Sequence, residues 1–220
     1  MTNGERDFNN FLLTPEAMTF EGKYDMPIIN GMKMKNLKEP KHFVEFHCLR
    51  RIPMDEREKT VVHFFTPDFL FEQVWYHPRS NLEFLKQFKA VCSPDFSQYT
   101  DMPRSMAIWN SYRKQWLGRY WQENGIKVIP TVTWSDEDSF EYCFDGMPHE
   151  SLVAVSSVGC EKSLEARENF YAGFVKMQEV LNPSQILFYG NKPHWLEGAE
   201  NVVFIAPAYK ERFNKAKEEG

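Results

Sequence analysis

The sequence predicts an α/β fold in which strands and helices alternate within one domain. Three observations lead there. Short apolar runs rich in β-branched and aromatic residues recur between turn residues. Helical patterns separate the later runs. The strongest runs are apolar almost throughout, as strands buried on both faces of a parallel sheet are.

The candidate strands are 26–29, 42–46, 61–66, 90–93, 128–134, 152–156, 186–189 and 202–206. The first two carry the weakest pattern. Residues 103–123 read as a helix: Asp101 and Pro103 suit its start, Met106, Trp109, Trp116, Tyr120 and Trp121 recur at helical spacing, and Asn124-Gly125 ends it. Residues 163–181 form a second helix, with Ser163 as cap, an apolar stripe of Phe170, Phe174, Met177 and Leu181, and Asn182-Pro183 as the stop. A shorter helix covers 81–88, and a charged one closes the chain at 209–219. Eight strands predict a compact TIM-like (β/α) barrel, for which 220 residues is near the short end of the range. If 26–29 and 42–46 are not strands, the alternative is an open doubly wound, mostly parallel sheet of six. No repeat or linker divides the chain, so residues 1–25 are assigned to an N-terminal arm and 26–220 to a single α/β domain.

A 42% hydrophobic and 26% charged composition is that of a globular protein. The aromatic share, 15%, suits a core or a binding groove. A net charge of −5 gives no support to a broad electrostatic grip on nucleic acid. Cys48, Cys92, Cys143 and Cys160 form no CxxC and read as thiols in a reducing compartment. The polar opening MTNGERD is no signal peptide, and no run approaches the ~20 apolar residues of a membrane span. The expected location is the cytoplasm, without membrane contact.

In either architecture the chemistry gathers where strands end and helices begin. Two strand ends deliver Asp just after Pro: Pro67-Asp68 and Pro94-Asp95. A carboxylate held there can serve as base, nucleophile or ligand, although Asp after Pro also begins turns. Asp95 is the stronger catalytic candidate, because Ser97 and Tyr99 add polar groups beside it; Asp68 is the weaker. Trp134, at the next strand end, could stack on a flat ligand or plug the core. Ser156, Ser157 and Gly159 lead into the second long helix, where free N–H groups favour an anion, yet neither GxGxxG nor GxxxxGK[ST] is present. Tyr189, Gly190 and Lys192 follow the next strand, with Lys192 placed to meet an anion. The six histidines show no HExxH or zinc-finger spacing, so the sequence gives no metal ligands and no cofactor. Arg104, Arg113, Lys114 and Arg119 could grip nucleic acid with the helix aromatics, but a solvated basic face opposite a Trp-rich inner face is the simpler reading.

These strand ends carry a resemblance. The string FFTPDFLFEQVW at 64–75 resembles a block of the DUF4417 family, as do SPDFSQY at 93–99, GIKVIPTVTW at 125–134, Phe144-Asp145-Gly146, VSSVG at 155–159 and Tyr189-Gly190. The likeness spans about residues 26–207. It implies a setting in bacteria, phages and mobile elements, hence host cytoplasm, and it brings no established activity. The family carries a second acid directly before the counterpart of Asp68, where this chain has Pro67, so the resemblance implies no carboxylate pair there.

Two functions fit these residues. One is an enzyme acting on a nucleotide, a nucleic-acid base or a phosphorylated small molecule. The other is a non-enzymatic binding protein, a host-factor inhibitor or a sponge for a small signal, using the same pocket.

Overall fold

The computed structural model describes residues 10–33, 40 and 42–207. It is a mixed α/β structure with parallel sheets. It opens with a short antiparallel hairpin of β1 (Phe20–Glu21) and β2 (Met26–Pro27). Strands β3 (His42–Glu45), β4 (Thr60–His63), β5 (Ala90–Cys92) and β6 (Val128–Ile129) then form a parallel sheet in that order. Strands β7 (Leu152–Ser156), β8 (Gln185–Tyr189) and β9 (Val202–Ile205) form a second. A parallel bridge from Thr131 to Ala154 links the two, with Val132 N donating to Ala154 O at 2.9 Å. Sheet neighbours are therefore sequence neighbours. Among the described residues, no strand pairing joins β9 to β3.

Of the eight expected strands, the seven from 42–46 onward all pair in parallel. The expected strand 26–29 is corrected: it is half of the hairpin and adds nothing to the parallel sheet. Its apolar residues serve another purpose. Met26 and Ile29 are buried in the layer against the long helix, close enough that a Cβ on Gly118 would meet Ile29 Cδ1 at 2.8 Å. The expected strand 128–134 is shorter than its pattern, because Pro130 has no N–H to give to a ladder. The expected C-terminal helix 209–219 lies outside the described residues.

Side chains alternate along each strand, so one face of the sheets is covered by helices. These are the short α2 (Gln73–Tyr76) and α3 (Leu82–Leu85) and the long α4 (Arg104–Glu123) and α5 (Leu164–Leu181), while the single-turn α1 (Met54–Arg57) buries no residue. Val62, Phe64, Val91 and Val128 pack with Leu117 and Trp121 of α4; Val153, Val155, Ile186 and Phe188 pack with α5. The other face packs on itself. Val61, Ala90, Cys92, Ile129, Leu152, Ala154, Leu187 and Tyr189 make one cluster, and Phe43 of β3 stacks on Tyr189 of β8 at 6.2 Å.

Helix α5 forms as its sequence predicts. Ser163 Oγ accepts from Ala166 N, Asn182 ends the helix in the left-handed region, and Phe170, Phe174, Met177 and Leu181 are buried. Helix α4 corrects the expectation of a solvated basic face. Arg104 is exposed, but Arg113, Lys114 and Arg119 are buried. Two have partners from distant segments: Arg113 pairs with Glu72, and Arg119 Nη2 donates to Ala17 O at 3.0 Å. The exposed face carries Met106 and Trp109 instead. The segment before β1, expected as an arm, lies across this helix and α2: Trp116 Nε1 donates to Thr14 Oγ1 at 3.0 Å, and Asn10 Nδ2 to Trp75 O at 2.7 Å.

Candidate functional site

Because the strands are parallel, their carboxyl ends share one edge, and three groups of polar residues collect along it. The first surrounds Asp68, at the start of a 3-10 turn (Asp68–Leu70) after β4. Its carboxylate accepts from Ser97 N at 3.2 Å and from Ser97 Oγ at 2.9 Å. Ser97 Oγ also lies 3.1 Å from the Tyr99 hydroxyl. Arg113 flanks Asp68 at 3.9 Å and covers the Phe96 ring. Burial raises the Asp68 carboxyl above its ordinary range, against the hydrogen bonds from Ser97 and the charge of Arg113. These bonds tie the loop after β4 to the loop after β5.

The second group centres on Asp95, in the loop after β5. Asp95 Oδ1 accepts from Thr133 Oγ1 at 2.5 Å. Burial pushes its carboxyl up to about 6, opposed by the Thr133 hydrogen bond and the Lys114 charge and aided by the charge of Asp68. Lys114 is buried, and its Nζ has no hydrogen-bond partner. Burial lowers the Lys114 ammonium below its ordinary value, while Asp95 and Cys143 work in the opposite direction. Asp95 also acts on the loop after β7: burial, then the Asp95 charge, raises the Cys160 thiol to about 12.

The third group lies between the loops after β7 and β8. Ser157 N donates to Tyr189 O at 3.0 Å, and Asn191 Nδ2 donates to Glu161 at 2.6 Å. Between them is a cavity of about 250 Å³ lined by Ser157, Val158, Gly159, Glu161, Lys162, Gly190 and Asn191. Ser157 Oγ is buried without a hydrogen-bond partner. A Cβ on Gly190, whose φ is +141°, would meet Ser157 Oγ at 2.1 Å, so only glycine allows the two loops to approach this closely.

Several expected site residues lie elsewhere. Ser156 Oγ accepts from Val158 N at 3.1 Å and shapes the loop. The Lys192 ammonium sits 4.8 Å over the Phe204 ring and does not line the cavity. Trp134 faces the helices: it stacks on Phe170 at 5.4 Å, its indole N–H donates to Asn169 O, and a Cβ on Gly173 would meet it at 2.1 Å. Thr133, by contrast, turns to the other side and meets Asp95. Tyr189 stacks among rings, 4.5 Å from His63. Burial lowers the His63 imidazole to about 3, and the charge of His47 acts in the same direction. Tyr99 lines a second cavity of about 130 Å³ with Arg104, Ser135, Asp136, Ser139 and Tyr142 among others.

Sequence reasoning missed Thr133 and Lys114 as neighbours of Asp95. It also missed a group at the end of β3, where ligand atoms of Glu45, His47 and Cys48 all lie within 4.8 Å of one another. The only signal for that group was three ligand-type residues in four positions, without a recognised spacing.

Among the described residues, no helix is long and apolar enough to cross a membrane. No solved structure matches the chain. Two curated proteins do. The "Gene 1 protein" of Mycobacterium phage L5 is 36% identical over 200 residues, covering 90% of this chain and 86% of that protein. The "Gene 1 protein" of Mycobacterium phage D29 is 43% identical over 129 residues, covering 59% of this chain and 48% of that protein. The chain is thus homologous to mycobacteriophage proteins, and, with residues 18–206 matching the "Domain of unknown function (DUF4417)", it belongs to that family.

Proposed function

We propose that this phage-associated protein is an enzyme of the host cytoplasm that acts on a small phosphorylated molecule, a nucleotide being the best fit, at the carboxyl edge of its parallel sheet. The observation that carries the reading is Asp95. It is a carboxyl group at a strand end, bonded to Thr133, and raised to about 6 by burial. A group that titrates near neutrality can both take and give a proton, which is what general acid–base catalysis requires. The neighbouring cavity supplies the binding half: Lys162 offers a positive charge, and Ser157 a buried hydroxyl with no partner. At about 250 Å³ it suits the phosphate end of a nucleotide better than the whole molecule. Glu161 lines the same cavity and opposes an anion, so its hydrogen bond from Asn191 matters to the balance.

The sequential strand order, the self-packed face and the Phe43–Tyr189 contact support a barrel-like closure of the sheet, which would draw these groups toward one mouth. The family likeness of residues 18–206 fits one domain.

Binding is the first test. Calorimetry with inorganic phosphate and a set of nucleoside monophosphates is expected to yield one ligand whose affinity falls about 10- to 100-fold in Ser157→Ala and Lys162→Ala, the cost of losing a hydrogen bond to a charged group. Equal affinities in both variants and the parent protein would remove the cavity from the reading. A ligand that binds but never changes on incubation favours instead an inhibitor of a host factor or a sponge for a small signal.

A further inference from the structure

We propose that Glu45, His47 and Cys48 form a binding site for a zinc-type divalent cation at the carboxyl end of β3. The local fold gathers them. The chain passes at Glu45 from strand into a 3-10 helix (Phe46–Arg51). With three residues per turn, Glu45 and Cys48 stand one turn apart on the same side, and His47 flanks them.

Two of the three spacings fit a tetrahedral ion. Zinc–sulfur bonds of ~2.3 Å and zinc–nitrogen and zinc–oxygen bonds of ~2.0–2.2 Å imply edges of about 3.6 Å from S to O and about 3.4 Å from N to O. Cys48 Sγ lies 3.6 Å from Glu45 Oε2, and His47 Nε2 lies 3.7 Å from the same oxygen. All three ligand atoms fall within 4.8 Å of one another. The two edges are thus near their bonded lengths before any ion enters.

The donor set selects the metal class. One thiolate, one imidazole and one carboxylate suit zinc and its borderline neighbours, whereas magnesium and calcium take oxygen alone. Thiolate and carboxylate together neutralise a dication. The site is reachable, since the Glu45 side chain is 16% exposed and that of His47 33%. Three protein ligands leave a fourth position for water or a bound molecule, the arrangement of reactive zinc centres. That position would open on the carboxyl edge that also carries Asp95.

The test uses full-length protein stripped with a chelator and titrated with cobalt(II), then zinc(II). One equivalent of cobalt is expected to bring up a thiolate-to-cobalt charge-transfer band, and zinc to bleach it. Cys48→Ser should lose the band, and both Cys48→Ser and His47→Ala should weaken zinc binding by at least about tenfold. His47→Ala changes an exposed residue, so circular dichroism matching the parent protein keeps the result interpretable if Cys48→Ser misfolds. Failure to bind one equivalent of either ion would overturn the site. So would a band that survives in Cys48→Ser, or zinc affinity unchanged in His47→Ala.

Discussion

Asp95→Asn is expected to lower turnover by about 10²- to 10⁴-fold, the share that a positioned acid or base contributes, while the protein becomes more stable at pH 7. The second half follows from the direction of the Asp95 shift. Its carboxyl rises from the ordinary 3.8 to about 6 on folding, so the folded state favours the protonated form. The stabilisation that the proton gives is complete below about pH 4 and is lost as pH rises through 6. A rise of about two units corresponds to up to about 3 kcal/mol. Asparagine keeps the shape and never ionises, so its advantage should be largest near pH 7 and vanish toward pH 4. Lys114 moderates the gain, because its buried ammonium loses the one carboxylate that favours its charge. Urea titrations at pH 4, 5.5 and 7, with turnover followed over a panel of nucleotides, measure both halves. A variant less stable than the parent at pH 7 would mean that Asp95 is held mainly as a structural partner of Lys114.

Phe174→Ala is expected to cost roughly 3–5 kcal/mol, the range for truncating a fully buried phenylalanine. Phe174 is 1% exposed on the inner face of α5. It packs edge-on against Phe188 of β8 at 6.3 Å and against Trp195 at 5.0 Å, so its loss opens a void between helix and sheet. A denaturant titration checks this; a loss below about 1 kcal/mol would place the ring outside the core.

The legible parts of the fold were those that local physics decides. Strands β7 and β8 are buried on both faces for almost their whole length and therefore read as nearly continuous apolar runs. Helix α5 announced itself through its cap and stripe, because both arise within one short continuous segment, Ser163 to Leu181. The illegible parts depend on distant partners. Arg113 and Arg119 look like surface cations until Glu72 and Ala17 O arrive from far along the chain to receive them. Met26 and Ile29 carry the apolarity of a strand, yet it is α4 that covers them. At the site, the polar strand ends stood out by residue type, and Asp95 was identifiable that way. Its partners were not. Thr133 rather than Trp134 meets it beyond the end of β6, where no strand pattern says which side chain turns inward, and the charge of Lys114 acts on it from a helix whose basic residues read as solvent-facing. The Glu45–His47–Cys48 group has no recognised spacing, so only its geometry brings it out.

The segment across α4 also sets an order of events in time. Each sheet strand pairs with a strand close to it in the chain, so pairing can advance in the direction of synthesis. The bond from Trp116 to Thr14 and that from Arg119 to Ala17 each close a separation of 102 residues. Closing so long a loop costs about 4 kcal/mol of chain entropy. At the ribosome's ~5–20 residues per second, Thr14 waits several seconds before Trp116 exists to meet it. Thr14 and Ala17 thus settle only once α4 has been made. Until they do, the indole N–H of Trp116 and the guanidinium of Arg119 lack these acceptors, which leaves α4 waiting on the segment that precedes β1.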